Sequence, residues 1–333
     1  MFLVALMLLT LTSGHTQSSR NWVIEKTRQL APEEYEILKR YEQLPEELSV
    51  RTSDGGTRMT SHDRDAYAYL ESSDATALLG EMDTNIHEIN HGLTSAWAFH
   101  HAASTGQPVA ERLMYYYYIK PGEEHYITTS IPFFPSRNLI EQIPSDLRTF
   151  RFDTYVDGNS STQNHGLMGL LDEYNAYFHS LKVSWLLKDA YLEAEPDPIR
   201  GYLNWVRSLN SVAQAYYEFR FFIFEYLLYA RQNEPQVYQA IRNDARLTRA
   251  FNAISSNYKS YVDAFQNELN GGWRTYATRH NLKSEASGDV VFLGRNDGGS
   301  MRGFYLTMKD ADALRPVLGS GRYAEVIRET RFD

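Results

Sequence analysis

Residues 75–102 read ATALLGEMDTNIHEINHGLTSAWAFHHA, and this stretch decides both architecture and chemistry. Ser73 and Asp74, just before it, are good helix caps. Leu79, Met82, Ile86, Leu93 and Trp97 then recur at three- and four-residue intervals, the core stripe of a long amphipathic helix. A neighbouring stripe carries Thr84, His87, His91, Thr94 and Ala98, two imidazoles among small side chains that let another element come close. Residues 87–91 are His-Glu-Ile-Asn-His. Histidines four apart lie one turn apart on one helical face, so both can reach one metal ion, while the intervening acid projects toward the place of a reacting water. His87 and His91 are therefore candidate metal ligands, and Glu88 is the candidate general base.

The pattern on either side is also helical. Residues 32–44 form a helix opened by Pro32, with Glu33 and Glu34 at the positive end of its dipole. Residues 49–65 are polar and glycine-containing, as a loop is. Residues 112–130, rich in Tyr, Ile and Thr around Pro121-Gly122, predict a β-hairpin in which Tyr115–Tyr118 place two side chains on each face. An irregular segment (145–163) leads into a long helix from about His165 to Glu193, broken by residues 195–198 (EPDP). Residues 199–269 are helical, with breaks near Glu234-Pro235 and Asn243-Asp244. The aromatic block 216–229 reads as the central core helix. Gly271-Gly272 ends the helical block 199–269, and two strand-like runs, DVVFLG and RGFYLT, flank a glycine-rich turn at 296–300 before a closing helix from about Asp310. The fold class expected is mainly α with a small β component. It divides into an N-terminal helical and loop segment (19–72), a metal-binding core (73–270) and a C-terminal hairpin and helix (271–333).

Composition narrows the function classes. The 333 residues contain 24 Tyr, 16 Phe and no Cys. Disulfides, thiolate ligands and a cysteine nucleophile are thereby excluded, leaving only nitrogen and oxygen donors for a metal. A net charge of −9 and the lack of a basic stripe argue against nucleic acid as partner. The opening run MFLVALMLLTLTSG (1–14) is too short to span a bilayer and has small residues at Thr12 and Gly14, although no Lys or Arg precedes it. It predicts a signal peptide over 1–18 and a secreted or periplasmic protein. No later segment reads as a membrane span, because Arg220 and Glu225 interrupt the most apolar stretch, 219–230. Asn159-Ser160-Ser161 has the form of a glycosylation acceptor.

A catalytic zinc needs a third protein ligand and an open position. In residues 166–180, GLMGLLDEYNAYFHS, the apolar Leu167, Leu170, Leu171, Tyr174 and Phe178 alternate with a stripe of Gly166, Gly169, Glu173, Ala176, Tyr177 and Ser180. Two helices bearing ligands amid small residues suit close packing around a metal, which makes Glu173 the third candidate, with His100 in reserve. Asp83 and Asp172 are placed to hold the imidazoles from behind. Tyr177, one turn beyond Glu173, is the first candidate to stabilise an oxyanion, ahead of His125, His165 and Tyr305.

The HExxH helix and the segment around Glu173 resemble the gluzincin type of zincin metallopeptidase, in which an HExxH helix supplies two His and a later helix a Glu. The resemblance implies zinc, hydrolysis of a peptide or protein substrate, and a mixed helical fold with a small sheet beside the first metal helix. The 81 residues between His91 and Glu173 are a longer separation than in the short-spaced families. A metzincin is disfavoured because its third His would fall at Trp97. Two alternatives stand beside a peptidase: a zinc hydrolase of a non-peptide amide, and a non-catalytic secreted helical protein that binds a partner through its tyrosines.

Overall fold

The computed structural model describes residues 18–61, 65–106, 113–158 and 161–333. The apolar run at 1–14 and the acceptor Asn159 lie outside them. The chain is mainly helical with three small antiparallel sheets among the described residues, as the sequence predicts. Among the described residues no helix is long and apolar enough to cross a membrane.

Helices α1 (18–30) and α2 (Pro32–Gln43) precede a hairpin of β1 (Glu47–Arg51) and β2 (Thr57–Ser61). This hairpin falls where the sequence reads as a polar loop. Leu48 and Val50 alternate with exposed residues and are buried beside the next helix, and only two apolar positions in a polar strand leave little periodic signal. That next helix is α3 (Ala75–Thr105), 31 residues capped by the Asp74 side chain on the Ala77 N–H and ended by left-handed Gly106. It carries the histidines.

The second hairpin pairs β3 (Leu113–Lys120) with β4 (Glu123–Thr129). All four tyrosines Tyr115–Tyr118 are buried, so both faces of β3 are covered. Tyr117 and Tyr118 donate to the carbonyls of Met168 and Glu33. After the short helices α4 (Phe152–Tyr155) and α5 (Ser161–Asn164) comes α6 (Leu167–Leu186), buried on almost every side between α3, the long α8 (Pro198–Asn233) and α10 (Ala245–Asn267). The expected helix 165–193 is thus two, α6 and α7 (Lys188–Ala194), joined at Leu187. The breaks near 234 and 244 separate α8, α9 (Pro235–Asn243) and α10, and the 216–229 block is core as expected.

Two features hold α6 in place. Its cap, Gly166, has φ +56°, and a Cβ there would lie 2.3 Å from the Phe134 carbonyl oxygen, so only glycine fits. Farther along, His179 Nδ1 lies 2.6 Å from Glu34 Oε2 while its Nε2 donates to the Tyr118 carbonyl at 2.7 Å, and Lys182 Nζ sits 2.5 Å from Glu34 Oε1. Glu34, read as a dipole partner, is fully buried in this network. Burial alone would raise its carboxyl pKa, but His179 and Lys182 outweigh it and hold it low.

The chain ends with α11 (Trp273–Arg279), a sheet of β5 (Leu282–Ser287), β6 (Val290–Arg295) and β7 (Arg302–Tyr305), then α12 (Lys309–Leu318) and α13 (Ala324–Thr330). Strand β5 is absent from the sequence reading. It is an almost wholly exposed edge strand defined by its pairing with β6, with no buried face to mark it.

Candidate metal centre

The face of α3 carrying His87 and His91 packs on the face of α6 carrying Glu173, as the two small-residue stripes predict. His87 Nε2 and His91 Nε2 are 3.1 Å apart, and Glu173 Oε2 lies 3.4 and 3.3 Å from them. These spacings exceed the ~2.7–2.9 Å of a charge-assisted hydrogen bond. They match the ~3.3 Å edge of a tetrahedron whose corners stand ~2.0–2.1 Å from a central ion. Glu173 is 5% exposed, and its Oε2 has no hydrogen-bond partner. An unpartnered buried carboxylate oxygen facing two imidazole nitrogens is costly unless a cation completes the junction. The three residues fit a metal ion.

The supports behind the ligands fix their ring orientation. His91 Nδ1 donates to Asp172 Oδ2 at 2.8 Å, leaving Nε2 turned to the centre. His87 Nδ1 lies 3.5 Å from Ser180 Oγ, whose hydroxyl is also within reach of the Asp83 carbonyl at 3.1 Å. Of the two acids expected behind the histidines, Asp172 therefore takes the role through its side chain, whereas Asp83 reaches the site only by its backbone. Burial disfavours a charge on His91, yet Asp172 and Glu173 outweigh burial and push its pKa well above the ordinary imidazole value. Burial would also raise the Glu173 carboxyl, and His91 and His87 instead hold it well below the usual range. The junction demands positive charge. Without a metal a proton on His91 supplies it, and a metal ion would displace that proton.

The triad opens onto a cavity of about 590 Å³ whose wall includes Glu88, Tyr115, Tyr155 and His165. Glu88 is half-buried, and among the described residues no hydrogen bond or ion pair engages its carboxylate. Tyr177 is not on the wall. Its ring packs edge-on against His87 at 4.5 Å and its hydroxyl meets that of Tyr155 at 3.1 Å, so Tyr155 is the one that reaches the cavity. Behind Tyr177, the guanidinium of Arg151 sits 4.5 Å from the ring centre and is paired with buried Glu218 at 2.5 Å. Also on the wall, the Tyr115 hydroxyl is hydrogen-bonded to His165 Nδ1. Burial keeps both tyrosine hydroxyls protonated and lowers the His165 pKa, so these are neutral polar groups.

Tyr155 and Tyr115 were missed in the sequence. Tyr155 ends a one-turn helix in a segment read as irregular, and the Tyr115–His165 pair joins positions 50 residues apart. His100 packs on Trp97, His179 is committed to Glu34, and neither joins the triad. His125 and Tyr305 lie away from the cavity wall, Tyr305 exposed on β7. Comparison of the chain with protein-family models, with curated proteins and with solved structures finds no match.

Proposed function

We propose that this protein is a zinc-dependent metallopeptidase of gluzincin type. The observation that carries the reading is the convergence of His87, His91 and Glu173 on one point of a cavity that also holds an unengaged Glu88. Two imidazoles and a carboxylate at tetrahedral spacing form a donor set that suits zinc, with one position left for water or substrate. Zinc held there supplies Lewis acidity, lowering the pKa of a water toward neutrality and drawing electrons from a scissile carbonyl.

The chain's own residues supply the rest. Glu88 stands in the wall as the base that takes the proton of the attacking water and returns it to the leaving amine. Tyr155 is better placed than Tyr177 to donate to an oxyanion. With Arg151 beside it and its hydroxyl on Tyr155, Tyr177 can direct its own proton to the Tyr155 oxygen and leave the Tyr155 O–H free for the cavity. Tyr115, oriented by His165, offers a second donor.

The case for a peptide comes from β3. Side chains alternate across a strand, yet the successive residues Leu113, Met114 and Tyr115 all line the cavity, so the edge of the strand borders it. Among the described residues β3 pairs only with β4. An extended peptide can add to such an edge by main-chain hydrogen bonds, which a small amide cannot do.

The test is hydrolysis of a mixed peptide library by the zinc-loaded protein, with simple amides and esters in parallel and Glu88→Gln as control. Cleavage of peptides that Glu88→Gln loses by about 10²-fold or more, with zinc retained, is the expected result. Zinc binding without any Glu88-dependent cleavage would refute the peptidase reading.

A further inference from the structure

A second cavity, of about 700 Å³, lies where α9 meets α10 and the end of α13. Its wall carries Arg242 from the last turn of α9, Arg249 from the first turns of α10, Arg328 from α13 and Arg331 just beyond it, with Thr248 and Glu329. This concentration of cations occurs in a chain whose net charge is −9. Among the described residues no ion pair or side-chain hydrogen bond engages the guanidinium of Arg242, Arg249 or Arg331, whereas Arg40, Arg151, Arg231, Arg246 and Arg322 all have acid partners. Arg328 makes only a loose contact with Glu325 at 3.7 Å. Glu329, the one acid on the wall, is occupied by the Tyr238 hydroxyl at 2.7 Å and by Arg231 at 3.5 Å.

Arg331 adds an independent observation. It caps α13 at φ +62°, ψ +29°, a left-handed conformation that glycine or asparagine adopts with less strain than arginine. Backbone requirements alone would favour a residue without this side chain. The arginine adds one more charge to the repulsion of three neighbours; an anion in the cavity would relieve that repulsion, and its contacts with the arginine would offset the backbone strain.

We propose that this cavity binds a compact polyanion carrying two or more linked phosphoryl groups. Guanidinium forks match tetrahedral oxyanions in paired hydrogen bonds. One orthophosphate would balance about two of the four positive charges, and a triphosphate-like group would balance nearly all of them. The volume suits a small ligand. The site is separate from the metal centre, since none of its wall residues borders the metal-site cavity.

The experiment titrates the full chain with tripolyphosphate, orthophosphate and citrate by calorimetry, and records the melting temperature with and without each. Tripolyphosphate also captures divalent ions, so binding is read as the difference between the parent and variants that share its metal site. Tripolyphosphate is expected to bind one per chain, at least about tenfold more tightly than orthophosphate. Arg331→Gly should melt no lower than the parent without ligand, because it removes the left-handed strain, yet bind tripolyphosphate about tenfold more weakly. Arg249→Gln should lose a similar factor. Equal affinity in the parent and in the variant carrying both Arg331→Gly and Arg249→Gln, or no saturable binding, would overturn the proposal. Citrate binding as tightly as tripolyphosphate would overturn the phosphoryl assignment.

Discussion

Replacing Glu173 by alanine removes one of three donor atoms from a junction where each stands 3.1–3.4 Å from the others. Structural zinc in four-ligand zinc-finger peptides is bound with roughly 10–16 kcal/mol, so one ligand accounts for about 3–4 kcal/mol. Water filling the vacant corner, and relief of the buried carboxylate, return part of that. A net loss of about 3 kcal/mol corresponds to a dissociation constant raised about 150-fold. The assay is the melting temperature of each protein against its own metal-free form. At a free zinc concentration 1,000 times the parent's dissociation constant, binding stabilises the parent by about 4 kcal/mol and the variant by about 1 kcal/mol. For a chain of this size these figures correspond to shifts of about 6 °C and 1.5 °C. Glu173→Gln, which keeps one oxygen donor, should fall between. Equal shifts in parent and Glu173→Ala at both limiting and saturating zinc would show that Glu173 is no ligand, and the gluzincin reading would shrink to the HExxH helix.

Asp172→Asn should weaken zinc about 10- to 100-fold while leaving the three donor atoms in place, because it loosens the tautomer and aim of His91; an unchanged affinity by competition with a chelating dye would remove Asp172 from the site. Tyr155→Phe should lower kcat by about 10²-fold with little change in KM, and Tyr177→Phe by about tenfold, since the latter only weakens the polarisation of Tyr155; the reverse ranking would restore Tyr177 as the direct donor. Asp83 is half-buried and its pKa is pushed up by burial from 3.8 to about 6. A carboxyl whose folded pKa is raised loses stability as pH rises from about 4 to about 6. Asp83→Asn should therefore stabilise the protein by about 1–3 kcal/mol at pH 7.5 and have little effect at pH 4, measured by urea unfolding at the two pH values. A gain of the same size at both would refute the titration as its cause.

The His87–His91–Glu173 cluster was legible in the sequence for two reasons that are local. The period of an α-helix places residues four apart on one face without help from the rest of the chain, so His87, Glu88 and His91 declare their geometry directly. Small side chains beside Glu173 announce that another helix approaches there, and the approaching helix is the one carrying the histidines. Helix ends at Asp74, Pro198, Pro235 and Asp244 follow from capping chemistry that one turn of backbone decides.

What the sequence left out shares a different physics. The β1–β2 hairpin and strand β5 are defined by hydrogen bonds to a partner strand, and with few or no buried side chains they leave no periodic trace. Tyr177 was placed on the right face of α6 but at the wrong depth. Whether its hydroxyl or that of Tyr155 meets the cavity depends on a one-turn helix from another part of the chain and on the Arg151–Glu218 pair behind it. Glu34, read only as a partner of the helix dipole, is buried because His179 and Lys182 arrive from α6 to neutralise it. Helix periodicity and capping are short-range properties written into neighbouring residues, and these alone determined the mainly helical fold and the HExxH face. The depth of a side chain, the partner of a charge and the wall of a cavity are sums over residues distant in sequence, so only tertiary packing decided them.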